Sequence, residues 1–306
     1  MKSATKQKSA ILSPNLLDLD NFTVQSYKHL TYPLWRDRLH RSQYRNSIFA
    51  VGAEYNLEPV GLAIANLIPL TKKAQIVSLY VKPKYRRRGI GGMLLDKISR
   101  KLSALGFGEL ELRYTASANS TPALESLLSQ QGWSVPQPKM LVCYSTAEKM
   151  QQAPWLYSYR LPQTFSIFPL VELTSQEYQT IQQQQARQPW YPEILSPFQA
   201  ELPVEPLNSL GLRYQGQVVG WMATHRIAPD TIRYTSLFVR RDLQKMGRAI
   251  PLVAEAIKLQ LKSSVSQYTC ATQIDNQQMV NFVRRRLQPF LTQVRESKQS
   301  YRLLIP

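Results

Sequence analysis

Seven consecutive residues, Arg86-Arg87-Arg88-Gly89-Ile90-Gly91-Gly92, carry the most specific chemistry in the chain. An apolar, partly alternating run through Leu79, Tyr80 and Val81 reads as a strand, Pro83 stops it, and helical spacing begins after the glycines. Glycine lacks a Cβ, so backbone at this turn can approach a ligand closely and take conformations that other residues avoid. Free N–H groups at the helix start, the positive end of the helix dipole and three guanidinium groups then converge on one place. That combination suits a phosphate or pyrophosphate. The turn lacks the Gly-Lys-Ser/Thr end of a Walker A loop and the G-x-G-x-x-G of a dinucleotide fold.

Strand, Arg-x-x-Gly-x-Gly, helix, with the Val-x-Pro-x-Tyr-Arg lead-in from Val81 to Arg86, resembles the acyl-CoA signature of the GNAT superfamily of N-acetyltransferases. The resemblance implies acetyl-CoA as co-substrate. It implies a pantetheine arm along the main chain of Leu79, Tyr80 and Val81, and a pyrophosphate over Arg86, Arg87, Arg88, Gly89, Ile90, Gly91 and Gly92. Asn119 matches the asparagine that many members place beside the same arm; its other expected role is a helix N-cap. The implied reaction is attack of an amine on the thioester carbonyl, in which binding and alignment supply much of the rate. Here the chain departs from the family. Leu127 and Leu128 stand where many members carry the tyrosine that protonates the thiolate, and the strand over residues 74–81 has no carboxylate to act as base. Glu54, Tyr55, Glu111, Tyr114 and Tyr144 are within reach in sequence order, but none earns a catalytic assignment.

Periodicity supplies the elements that must hold this turn. Leu95, Ile98, Leu102 and Leu105 recur at helical spacing and give the helix after the turn an apolar face. Before it, residues 21–30 are expected as a first strand. Residues 32–47 are expected as a polar helix with Arg38, Arg41 and Arg45 on one face, and residues 47–55 and 59–70 as a hairpin. After it come a strand over 109–115, a helix over 119–130 and a closing strand over 140–145. In the family this resembles, the first helices line the acceptor side of the cleft, so basic residues there favour an anionic acceptor.

The same series begins again in the second half. Strands over 165–173, 210–214, 218–226 and 231–239 and a helix over 174–188 lead to Gln244-Lys245-Met246-Gly247-Arg248-Ala249, a looser form of the signature. Leu79 and Leu237, Val81 and Val239, Gly89 and Gly247, and Gly91 and Ala249 are all displaced by 158 positions, and Asn276 follows Asn119 by 157. A constant offset across strand, turn and helix reads as a tandem duplication. The copy is chemically poorer, with Arg248 and Ala249 in the turn and Pro251 in place of Met93. The expected fold class is therefore α/β, two tandem GNAT-like domains, each a mixed, mostly antiparallel central sheet flanked by helices. The expected divisions are a flexible basic lead (1–19), an N-terminal domain (20–148), a connector (149–164) and a C-terminal domain with the degenerate turn (165–306). A similar arrangement occurs in mycothiol synthase.

With 306 residues, 43% of them hydrophobic, the chain can form two ordinary globular cores. Its formal charge of +18 predicts attraction to polyanions. The longest apolar run, residues 60–70, contains Asn66 and Pro69 and is too short to span a bilayer. The first residues lack a signal-peptide core, so a cytoplasmic protein is expected. Cys143 and Cys270 lie far apart with no paired-ligand spacing, and there are three histidines, so neither a disulfide framework nor a metal site is expected. Three functions follow: an N-acetyltransferase acting on an amine of a small molecule or peptide; a basic nucleic-acid binder, for which no base-reading motif exists; and an acyl-CoA-sensing scaffold without catalysis. Oligomeric state is not legible.

Overall fold

The computed structural model describes residues 13–40, 47–198, 203–244 and 247–304. Residues 1–12 of the expected basic lead, Arg41 and Arg45 of the expected helix face, and Lys245 and Met246 of the second turn lie outside the described residues.

Strands β1 to β6 span Asn15–Leu19, Ile48–Tyr55, Glu58–Ile68, Lys73–Val81, Glu109–Thr115 and Gln137–Thr146. Strands β7 to β12 span Phe165–Pro169, Leu210–Tyr214, Gln217–Ala228, Thr231–Val239, Gln267–Gln273 and Gln293–Leu303. Helices α1 to α9 span Val24–Tyr27, Pro33–His40, Ile90–Ala104, Thr121–Gln130, Ala147–Gln151, Ser175–Arg187, Arg241–Gln244, Ala249–Leu261 and Gln277–Phe282. The chain divides into two compact units, Met1–Pro138 with Ser297–Pro306, and Lys139–Glu296.

In the first unit the strand order is β1-β2-β3-β4-β5-β12, antiparallel except for the parallel pair β4/β5. The β2/β3 hairpin turns on Asn56 and Leu57, both left-handed at φ 48° and 65°, the primed turn whose twist matches paired strands. One face of the sheet receives α3. Leu94, Leu95, Ile98 and Leu102 are fully buried against Val51, Ala63, Ala65, Ile76 and Leu110, each leucine contributing about 2 kcal/mol. Leu105, expected on this face, lies past the helix end and is exposed. The opposite face, alternating with the first, packs Leu62 and Ile64 on Tyr27, Leu30 and Trp35. Asn15–Leu19 forms β1, and the strand expected over 21–30 is instead a short helical turn. Asp20 Oδ1 accepts from the Phe22 and Thr23 amides at 2.9 and 2.8 Å and starts α1.

In the second unit the order is β6-β11-β10-β9-β8-β7, again antiparallel except for one parallel pair, β10/β11. Helix α6 begins with a capping box: the Glu177 amide donates to Thr174 Oγ1 at 3.2 Å, and the Thr174 amide donates to Glu177 Oε2 at 2.9 Å. Leu252, Ala256 and Ile257 of α8 pack on Leu212, Val219 and Met222, while Ile181, Tyr191, Trp221 and Phe238 pack on the other face.

The closing strands differ from the expectation. The strand expected over 140–145 to close the first sheet pairs with β11 in the second unit, through Met140↔Gln273 to Thr146↔Gln267. The first sheet is completed by β12 from the far end of the chain, through Ser297↔Thr115 to Leu303↔Glu109. Sequence periodicity gives the existence of a strand but not its partner, which is why the exchange is invisible before folding. Among the described residues no helix is long and apolar enough to cross a membrane.

Candidate functional site

The parallel strands β4 and β5 part company midway. They pair through Lys73↔Glu109, Ala74↔Leu110, Gln75↔Glu111 and Ile76↔Leu112, and there the ladder ends. Beyond it β4 continues against β3, and β5 against β12. The register jumps from Ala65↔Ile76 to Ile64↔Ser78, leaving Val77 bulged. A bulge bends and twists its strand, which carries β4 away from β5 and opens a wedge between them. Side chains before α2 brace the bulge: Tyr32 OH donates to the Val77 carbonyl at 2.7 Å, and Thr31 Oγ1 donates to Ser78 Oγ at 2.8 Å.

The Lys82 amide donates to the Val60 carbonyl at 2.9 Å. Hydrogen-bonded rungs alternate in an antiparallel ladder, so the main-chain groups of Leu79 and Val81 face away from β3 and into the wedge. The Tyr80 ring is more than one-third exposed beside it. Arg86 reaches back, its Nε donating to the Val81 carbonyl at 2.9 Å, with its guanidinium 5.7 Å from the Tyr80 ring.

The turn after β4 is held by one carboxylate. Glu58 accepts from Lys82 Nζ at 2.9 Å and from Tyr85 OH at 2.7 Å, and Lys84 Nζ lies 3.5 Å away. The bonds from Lys82 and Tyr85 pull the Glu58 carboxyl down to about 2. Tyr85 stacks on Tyr55 at 5.4 Å and carries the Arg88 guanidinium 5.4 Å from its own ring. Arg86, Arg87 and Arg88 are exposed. Gly89 has φ 76°, the left-handed region that glycine enters without cost, whereas Arg87 at 61° pays of order 1 kcal/mol to be there. The first helical bond of α3 runs from the Met93 amide to the Gly89 carbonyl at 3.0 Å, so the amides of Ile90, Gly91 and Gly92 precede the helix's own ladder.

Gly92 has a second use that sequence does not disclose. A Cβ on Gly92 would lie 3.1 Å from Gln131 Nε2 and 3.2 Å from Leu127 Cδ1, and one on Gly91 would lie 3.4 Å from Leu127 Cδ2. Gln131 Nε2 donates to the Gly92 carbonyl at 2.7 Å. Gly92 therefore also lets α4 lie close on the start of α3, while a Cβ on Gly91 would meet Leu127 at ordinary contact distance. Asn119 is exposed just before α4; Ser120 stands at the N-cap position instead, and its side chain makes no capping bond. In the second unit Asn276 does cap, accepting from the Met279 amide at 3.1 Å.

Glu54, Glu111 and Tyr114 are held by other side chains, whereas the Tyr55 ring stacks on Tyr85. Glu54 accepts from Asn15 Nδ2 at 3.0 Å and from Tyr27 OH at 3.3 Å, and Glu111 pairs with Arg113. Tyr114 OH donates to Glu125 Oε1 at 2.6 Å, and Lys298 of β12 reaches the same oxygen at 2.9 Å. Burial and the Glu125 contact push the Tyr114 hydroxyl well up. Tyr144 lies on β6, in the second unit, under the Arg295 guanidinium. Leu128 is fully buried in the core.

The second unit repeats this geometry at the same offset. β10 and β11 pair through Tyr234↔Cys270 and then separate, with Thr235 bulged opposite β9. Gln244 Nε2 donates to the Val239 carbonyl at 2.8 Å, the bond that Arg86 makes to Val81. That shared contact explains why arginine or glutamine suits this position. Gly247 keeps the left-handed turn at φ 67°. The amide row is shorter, because the Ile250 amide is spent on the Gly247 carbonyl at 3.2 Å and Pro251 has none. Arg248 turns inward, its guanidinium 5.0 Å from the Phe165 ring. A cavity of about 320 Å³ in this unit lies elsewhere, lined by Gln176, Ile181, Trp190, Gln217 and Arg240.

A family model described as the acetyltransferase (GNAT) family matches residues 15–129 and 170–287. No curated protein matches the chain. Among solved structures, a tandem GNAT protein from the clavulanic acid biosynthesis pathway superposes with a TM-score of 0.67 at 15% identity, over 96% of this chain and 99% of that one. A GCN5-related N-acetyltransferase from Sphaerobacter thermophilus gives 0.64 at 15% identity, over 96% of each chain. At such identity these likenesses carry the fold alone, and the fold they share is the tandem one.

Proposed function

This chain belongs to the GNAT acetyltransferase family, and on that premise we propose that it transfers an acetyl group from acetyl-CoA to an amine, with the co-substrate held by the first unit. The observation that carries the proposal is the continuity of three features: the open edge of β4 at Leu79 and Val81, the arginines 86 to 88, and the amides of Ile90, Gly91 and Gly92. The strand edge suits the amides of a pantetheine arm, and the arginine-glycine turn suits a diphosphate. Asn119, exposed before α4, is the remaining candidate for contact with the arm.

Bound there, acetyl-CoA supplies an activated acyl group. Attack by the amine nitrogen breaks the carbon–sulfur bond, the amine loses one proton and the departing sulfur gains one. The wedge orients both reactants, and a strand amide facing it stabilises the developing oxyanion. The reading assigns no side chain to proton transfer. The net charge of +18 favours an acceptor that carries negative charge beside its amine.

Calorimetric titration with acetyl-CoA tests the site. Gly89→Glu places a carboxylate and a Cβ at a left-handed position beside the diphosphate and should weaken binding about 100-fold or more. Gly247→Glu should change it little. Equal losses would refute the assignment to the first unit. Leu127, where a tyrosine is usual, favours a second reading in which the protein binds acyl-CoA without turning it over. Tight binding with no thiol release across a panel of amines would establish that reading instead.

A further inference from the structure

Cys143 and Cys270 have no sequence spacing that relates them, yet the fold makes them neighbours. They are register partners on β6 and β11, and both are free thiols. Two backbone bonds bracket the ladder, from the Ala147 amide to the Ser266 carbonyl at 2.8 Å and from the Ile274 amide to the Lys139 carbonyl at 3.0 Å. Alternation from either end makes Cys143↔Cys270 a hydrogen-bonded rung. Such a rung sets Cα atoms about 5.5 Å apart with both side chains on one face, within the span a disulfide bridges. The packing agrees. Cys143 is buried in the cluster that holds Leu210, Met222 and Tyr268, and the partly exposed Cys270 packs against that cluster. A hydrogen bond between the thiols pulls the pKa of Cys143 down and pushes that of Cys270 up.

We propose that this pair is an oxidative modification site, a dithiol that a small peroxide converts into a cross-strand disulfide within the second unit. One sulfur of the pair, as thiolate, attacks a peroxide oxygen, giving a sulfenic acid and releasing water once its proton is taken up. The other sulfur displaces the sulfenic hydroxyl, which leaves as a second water. Two thiol hydrogens and two electrons thus reduce one hydrogen peroxide to two waters. A single buried thiol has no such exit; the facing thiol on the adjacent strand supplies it. The location gives the bond a consequence, because Tyr234↔Cys270 is the last rung before β10 and β11 separate. The disulfide anchors the outer wall of the second wedge.

The test uses the full chain treated with hydrogen peroxide, alkylated, digested without reductant and read by mass spectrometry. The expected product is one peptide pair joined through Cys143 and Cys270, two hydrogens lighter than the separate thiol peptides and released by dithiothreitol. The oxidised protein should also melt several degrees higher, since the link closes a long loop. Cys143→Ser and Cys270→Ser should each remove the linked pair. Because either variant can misfold, the wild-type spectrum decides. Thiols untouched by excess peroxide, sulfinic or sulfonic products, or links only between separate chains would overturn the proposal.

Discussion

Glu58 shows how much of the candidate site rests on a residue outside it. It begins β3, yet its carboxylate holds Lys82 and Tyr85 and thereby sets the path of the chain into the arginines. Replacing it by glutamine removes the charge and keeps the shape. Glu58→Gln should weaken acetyl-CoA binding about threefold, the scale of an exposed ion pair, without altering the far-ultraviolet spectrum. The pH dependence has a definite sign. The carboxyl is depressed from 4.5 to about 2, so its stabilisation is present above pH 4.5 and is lost as pH falls toward 2. Melting temperatures of wild type and variant should differ at neutral pH and converge over that acid window; a constant gap would show that the carboxylate's charge is irrelevant. Such a role is not legible in sequence. Glu58 reads as a turn residue, and only pairing β3 with β4 brings it to the lysine and the tyrosine.

At the scale of elements, the glycine-rich turn does two jobs that sequence merges into one. Its composition announces close approach, and the natural reading is approach by a ligand; the structure adds approach by α4, through Leu127 and Gln131. Gly92→Val should force the two helices apart and cost about 1–3 kcal/mol, seen as a lower melting temperature. Gly91→Ala, whose added carbon meets Leu127 at an ordinary distance, should be near neutral. Were both silent in a thermal scan, the packing role would be wrong. Much of this layer was legible beforehand. The α3 face at Leu95, Ile98 and Leu102, the hairpin around Asn56 and Leu57, and the 158-residue echo at Gly247 all follow from spacing. Residues 21–30 did not read correctly, because Asp20 and Thr23 start a helical turn through local hydrogen bonds that outweigh a weak strand pattern. The bulges at Val77 and Thr235 left no trace in composition at all.

For the whole molecule, the duplication seen in sequence is real in geometry, but the repeats do not coincide with the two compact units. Each sheet takes its last strand from the other half of the chain, β12 beside β5 and β6 beside β11. Residues 1–150 and 151–306 made separately should therefore fail to give cooperative melting, while the same two fragments made together should recover it. Two stable halves would contradict the pairing. Charge, by contrast, was legible as a number and silent as a location, since +18 names no face.

The arginine contact with Val81 and the glutamine contact with Val239 are set locally and form as soon as their turns exist. The neighbour of β5 is another matter. During synthesis the ribosome must make the entire second unit before Ser297–Leu303 emerges, so the nascent first sheet waits with an open edge of hydrogen-bonding groups. For that interval the protein is most exposed to mispairing with its own kind, and the speed at which the second half is translated sets how long the exposure lasts.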